Sequence, residues 1–307
     1  MTRVSNFAQS EAMIAEVLKV QERLFQSQRQ VVTGKNAEFY KDIPRDSVVL
    51  LGAKTVETRT IQYQRTGIEL TRKLEIYDVQ VNELAKISVD LRQEVITAVA
   101  STSGLSIMDR VDALFSQAGR VLNTTLDGNY LFGGTRTDQP PVNIGTLAEL
   151  IALPTAADAF DNSAKKLSAQ TDDTFTMTYG ALADEAATPL FEAIKRIAEF
   201  NAGPSGPFSS QLTEAQRNFL LGELPALVQV IDDLQLEVAQ VGTDQQVLDE
   251  ITIRHQETLD FTKIFISDIE DADAAEAISN LNRDQLALEG SFRVLAQIGR
   301  LSLLNFI

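Results

Sequence analysis

Cysteine and tryptophan are missing from the 307 residues, and histidine occurs once, as His255. Without cysteine there is no disulfide, no thiolate metal site and no thiol nucleophile. A single histidine excludes every site that needs a histidine pair, His-Glu-x-x-His zinc binding included. No Gly-x-Ser-x-Gly nucleophile elbow is present. The one Gly-Lys pair, Gly34-Lys35, follows a helical pattern and lacks the glycine five residues earlier that a phosphate loop requires. The sequence therefore offers no catalytic, cofactor-binding or metal-ligating residues, and its expected class is a non-enzyme.

Positive charge is also scarce. Lys and Arg number 27 against 43 Asp and Glu, a formal charge of −16, and no basic block interrupts the acidic balance. Phosphate binding needs a concentrated positive surface, so nucleic acid is not an expected partner. No stretch reaches the roughly 18 to 20 apolar residues that cross a bilayer, so no membrane insertion is expected. The opening MTRVSNFAQSEAMI lacks the apolar core of a secretory signal, and export by a cleaved signal is not expected either. Aromatic residues make up 7% of the chain, which favours small, regular cores. All eight prolines except Pro44 fall between Pro140 and Pro225. Two long flanks are left nearly free of the residue that most strongly breaks helices.

Those flanks carry a helical period. Phe7, Ser10, Ile14, Val17, Gln21, Leu24, Gln28 and Val31 recur at steps of three and four, with Leu18, Phe25 and Val32 widening the stripe. The pattern predicts one long helix stopped at Thr33-Gly34-Lys35, where glycine suits the left-handed position past a last turn. From Val56 to Ala98 the period returns, predicting a helix of roughly 65 Å at about 1.5 Å per residue. A shorter amphipathic helix fits Ile107 to Leu122. In LDGNYLFGGTRTD the signals change: Asp127-Gly128 and Gly133-Gly134 mark turns around Tyr130-Leu131-Phe132, a hairpin or tight excursion serving as a structural turn or subunit contact, with ligand binding as the alternative.

Residues 136–188 contain Pro140-Pro141, Pro154 and strand-like alternation at Thr174–Tyr179, predicting a small mixed or β-containing insertion. Helical patterning is expected to resume after Pro189. Thr213 and Gln216 have capping-box spacing. A seam then runs from Leu220 through Leu227, Leu234, Val241 and Leu248 to Ile269, with Gly242 a candidate irregularity. A last pattern, Ile278, Leu281, Gln285, Leu288, Phe292, Leu295, Gly299, Ser302 and Phe306, leads into the closing RLSLLNFI. The expected fold is mainly α, a long antiparallel helical rod with coiled-coil terminal helices and a small mixed central insertion. His255 lies on the seam and reads as a polar residue that fixes register, with a pH-sensitive switch as the alternative. Asp268, Glu270, Asp271, Asp273 and Glu276 lack the glycine and spacing of a calcium loop and read as a solvated helix start. The apolar ends read as assembly elements buried on polymerisation, the alternative being the two halves of an intramolecular core.

A family likeness rests on several of these stretches. They are the helix ending in Val32-Thr33-Gly34-Lys35, Leu122-Asn123-Thr124 with the DGNYLFGG segment from Asp127 to Gly134, Val241-Gly242, SDIEDAD from Ser267 to Asp273, and the closing LSLLNFI from Leu301. Together they resemble the flagellin superfamily of bacterial axial proteins, and within it the hook-filament junction branch, over about residues 1–135 and 189–307. One departure is that the acidic Asp-Asp-Pro stretch usual after the Thr-Gly-Lys turn is matched here by Lys41-Asp42-Ile43-Pro44-Arg45-Asp46.

The resemblance implies an extracellular structural subunit of the bacterial flagellum, joining hook to filament, with a filament flagellin as the alternative. It implies an inner coiled-coil layer from residues 1–45 and 266–307, a helical rod domain from 46–135 and 189–265, and an outer insertion at 136–188. Partners implied are further copies of the chain in a helical tube, neighbouring axial proteins on the hook and filament sides, and an export chaperone at the C-terminal helix. Type III export without a cleaved signal follows from the same likeness. The residues expected at the assembly interface are Phe7, Ile14, Val17, Leu24, Val31, Ile278, Leu281, Leu288, Phe292, Leu295, Leu303, Leu304 and Phe306.

Overall fold

A computed structural model describes residues 2–37, 40 and 43–304, with side chains for those of them between 11 and 297. Seven α-helices and two short hairpins make up the described chain: α1 Thr2–Thr33, α2 Ser47–Ser101, α3 Ile107–Leu122, β1 Thr125–Leu126, β2 Asn129–Tyr130, α4 Leu147–Ala152, β3 Leu167–Gln170, β4 Thr176–Tyr179, α5 Ala183–Ala202, α6 Glu214–Glu270 and α7 Ala274–Leu304. A single 3-10 turn, Ala156–Ala159, follows α4. The fold is mainly α, as the periodicity predicts. The chain divides into two compact units, residues 61–256 and the remainder, and α2 and α6 contribute to both.

The larger unit is built on the heptads of α2 and α6. Leu70, Leu74, Tyr77, Val81, Leu84, Leu91 and Val95 of α2 are buried together with Ile107, Val111, Leu114 and Phe115 of α3. Leu190, Phe191, Ile194 and Ile197 of α5 and Leu220, Leu227, Leu234, Val241 and Leu248 of α6 complete the same core. The α6 residues are spaced by sevens, the repeat that keeps one side chain per two turns on the buried side. Each such leucine contributes about 2 kcal/mol relative to exposure.

The Thr213–Gln216 capping box forms as predicted, each backbone N–H donating to the other's side-chain oxygen at 3.1 and 3.2 Å. Gly242 lies within α6 and does not interrupt it. Pro189 does not precede α5; it lies inside the helix, which begins at Ala183. The Ala183 N–H donates to the Phe132 carbonyl at 3.0 Å, and Asp184 and Glu185 occupy the positive end of the helix. Full burial of Ala187, Leu190 and Phe191 around the proline outweighs its local cost.

The DGNYLFGG stretch is a two-residue hairpin. Asp127 and Gly128 both have positive φ, 52° and 81°, as a type I′ turn requires. Tyr77 of α2 holds its far side: the phenol donates to the Leu131 carbonyl, and its ring meets Phe132 edge-on at 5.4 Å. The second hairpin pairs Leu167–Gln170 with Thr176–Tyr179 in antiparallel register.

In the smaller unit α1 and α7 pack antiparallel, with Ser27 opposite Asp284 and Lys35 opposite Asp271.

Candidate functional site

The α1–α7 pair buries Val17 and Val20 on one helix and Ala277 on the other, with Leu24, Leu281, Leu288 and Leu295 half-buried. A polar layer interrupts the seam. The Ser27 hydroxyl, 6% exposed, donates to the Asp284 carboxylate at 2.7 Å, and Arg23 stands 3.7 Å from the same group. A polar pair inside an apolar seam fixes which turn faces which, because sliding one helix strands it unpaired. Toward the chain ends a groove of about 380 Å³ opens between the helices, lined by Met13, Val17, Ala287, Gly290, Ser291 and Leu295 among others.

The structure places the expected interface residues on two sides of this pair. Val17, Leu24, Leu281, Leu288 and Leu295 lie toward the seam. Ile14, Val31, Ile278 and Phe292 do not; they are exposed, Ile14 and Phe292 at 48% each. Leu18, Phe25, Val32 and Val294 are exposed beside them. The backbones of Phe7, Leu303 and Leu304 are helical, but their side chains lie outside the described set, and Phe306 lies outside the described residues altogether. The seam differs from the predicted one by a residue at alternate positions: Met13, Val20 and Ser27 face inward where Ile14, Gln21 and Gln28 were expected. Sequence reasoning missed Val20, Ser27, Ala277 and Asp284. The signal for Val20 is its spacing of three after Val17 and four before Leu24.

Beyond the seam, the turn after α1 is clasped to the turn before α7. The Asn36 N–H donates to the Glu270 carbonyl at 2.7 Å, and the Ala272 N–H donates to the Gly34 carbonyl at 2.8 Å. Gly34, at φ 68°, takes the left-handed conformation that bends the chain there. Lys35 Nζ donates to Asp271 at 2.6 Å and to Glu270 at 3.3 Å, and Lys54 of α2 pairs with Glu270. The Asn36 amide adds bonds to the Ile269 and Asp271 carbonyls.

Electrostatics follow the contacts. The hydrogen bond from Lys35 holds Asp271 below the usual carboxylate range. Burial works to raise Glu270, and hydrogen bonds from Lys54 and Lys35 outweigh it, leaving that carboxyl low as well. The lysines rise in turn, Lys35 chiefly through Asp271 and Lys54 chiefly through Glu270. The acidic stretch is therefore more than a solvated helix start. Asp273 caps α7 by accepting from the Ala275 and Glu276 N–H groups, while Glu270 and Asp271 belong to the clasp.

Comparison with known proteins bears on the second half of this arrangement. Residues 224–307 match the family described as the bacterial flagellin C-terminal helical region. That segment, about a quarter of the chain, is similar to the C-terminal helices of flagellins. The flagellin-type segment takes in most of α6 and all described residues of α7, so it supplies Glu270, Asp271 and Asp284, whereas Lys35, Lys54 and Ser27 come from outside it. Among solved structures, a protein described as flagellar hook-associated from Vibrio parahaemolyticus superposes with a TM-score of 0.59 at 16% identity, covering 75% of this chain and 100% of the other. FlgL from Bacillus cereus superposes with a TM-score of 0.50 at 14% identity, covering 65% and 98%. At these identities the likeness is one of fold. No curated protein matches by sequence. Among the described residues no helix is long and apolar enough to cross a membrane, and no cluster of three or more His, Asp or Glu side chains is arranged to hold a metal.

Proposed function

We propose that this chain is a member of the flagellin family and a structural subunit of the bacterial flagellum that joins hook to filament, built into a helical tube through its terminal helices. The observation that carries the reading is the apolar flank of the α1–α7 pair, with Ile14, Leu18, Phe25, Val32, Ile278 and Phe292 uncovered in a single chain. Full burial of one such side chain is worth about 2 kcal/mol, so repeated copies gain steadily from covering one another. In this reading residues 1–45 and 266–307 form the inner layer, 46–135 with 189–265 the next, and 136–188 face outward. Export proceeds through the flagellar type III route without a cleaved signal, with a chaperone covering the C-terminal helix until assembly. The proteins on either side in the axial structure are the other partners.

The test exploits the exposure of these residues in the monomer. An Ile14→Glu, Phe292→Glu double variant should melt as the wild-type monomer does and fail to enter flagella, because a carboxylate cannot be buried unpaired between packed helices. Flagella that form normally with this variant overturn the reading. Immunolabelling of isolated flagella should place the wild type at the hook-filament boundary; label along the whole filament makes the chain a filament flagellin instead.

A further inference from the structure

His255 takes the next position in the sevenfold series of Leu220, Leu227, Leu234, Val241 and Leu248 on α6, so the chain's single histidine occupies a place its helix otherwise gives to an aliphatic side chain. It is 6% exposed, and its ring stacks on Tyr63 of α2 at 5.8 Å and 21°. The tip of the β3–β4 hairpin, Thr171 to Phe175, lies against this pair. Tyr63 donates its hydroxyl proton to Asp173 at 3.0 Å, and the Asp172 carboxylate stands 3.9 Å from His255 Nε2. Two buried side-chain polar atoms among the described residues have no hydrogen-bond partner, and both are here: His255 Nε2 and Thr171 Oγ1. An unsatisfied buried nitrogen within ion-pair distance of a carboxylate is a place where one proton changes the balance of forces.

We propose that His255 is a pH-sensitive latch for the β3–β4 hairpin, holding the Thr171–Phe175 turn on α2 and α6 when neutral and releasing it when protonated. The groups facing the imidazole are Asp172 and Asp173 from the turn, Tyr63 from α2 and Arg254 from α6 itself. Burial acts most strongly and holds the imidazole below its ordinary value of 6.5; Asp172 and Asp173 pull it up, and Arg254 pushes it down. The closed turn therefore binds the proton less readily than the open one. A base depressed in the closed state contributes stability that is complete above the ordinary value and is lost as pH falls below it. Acid opens the turn. Every group in the device belongs to the larger unit.

The test is amide hydrogen exchange on the full chain, read over residues 167–179 from about pH 7.5 to about pH 5.5, after correction for intrinsic rates. That window lies below the ordinary histidine value at its acid end and above the ordinary carboxylate values throughout. Opening should rise by up to about tenfold at the acid end, the limit for one proton. His255→Phe keeps the ring stack without a titrating group and should show no such rise. Asp172→Asn, at a half-exposed position, removes an attraction for the proton in the closed turn and should steepen the rise. A flat profile in the wild-type chain overturns the proposal. So does an equal rise in His255→Phe, or an NMR titration that places His255 at or above its ordinary value.

Discussion

Lys195 closes the C-terminal end of α4 with an ammonium group. Its side chain, on α5, is nearly buried, and Nζ donates to the carbonyls of Leu150, Ile151 and Leu153 at 3.2, 3.1 and 2.6 Å. A six-residue helix cannot stand alone, and its last carbonyls have no partners within it. Glu199, one turn on, balances the charge at 2.9 Å. Lys195→Met keeps the aliphatic stem and removes the ammonium from all three carbonyls, of which Leu150's keeps the Leu153 N–H. The expected loss is about 2 kcal/mol, read as a lower urea midpoint with an unchanged slope. Little of this was legible in the sequence. A lysine within a helical pattern reads as solvated, and only the fold brings residues 150–153 to it. Ser27, Lys54 and Asp284 were hidden for the same reason: apolar periodicity reports which face is inward and says nothing of polar pairs joined across 257 residues, as Ser27 and Asp284 are.

At the scale of elements the sequence was far more informative. Steps of three and four locate α1, α2, α3, α6 and α7, because a helix must keep one stripe dry and few local features compete over so many turns. The Asp127-Gly128 turn was equally plain, since few residue pairs take positive φ twice in succession. Missed features have physical causes. α2 begins at Ser47, ahead of its first seam residues, and α5 passes through Pro189 because tertiary packing overrides local preference. The rotated seam of α1 arises because glutamines at 21 and 28 fit a heptad on paper, whereas Ser27 gains a carboxylate partner.

The clasp between the turns of α1 and α7 gives a prediction at this scale. Glu270 and Asp271 are depressed, so their contribution is complete above the ordinary 4.5 and 3.8 and is lost as pH falls through the lower folded values. Lys35 and Lys54 are raised, so theirs is complete below 10.5 and lost only in stronger alkali. Exchange protection at the Asn36 and Ala272 amides should be flat between those limits and collapse on the acid side. Lys35→Gln should weaken that protection across the whole plateau.

For the molecule as a whole, apolar burial is unevenly shared. The smaller unit's buried hydrophobic residues, among those described, are Val17, Val20, Leu50, Leu259 and Ala277, while the larger unit holds a continuous core across five helices, α2 to α6. Stability follows buried apolar area, and units with separate contacts open separately. Calorimetry of the monomer should therefore show two transitions, the smaller unit melting first. Phe191→Ala, at a fully buried site, should lower only the upper one, at a cost of about 3 to 5 kcal/mol. Added salt should raise both by screening a chain of net charge −16. A single transition that Phe191→Ala shifts intact would contradict this division.

The paired backbone bonds at Asn36 and Ala272 also have a mechanical meaning. α1 and α7 run antiparallel from this point, so a pull on either helix reaches the Lys35–Asp271 bridge before it reaches the rest of the polypeptide. Because the two turns are bonded to each other, tension entering along one helix is divided between both. The clasp is a strain relief: load applied at the helical ends is shared there, and the segment between residues 36 and 270 receives it from two points of attachment rather than one.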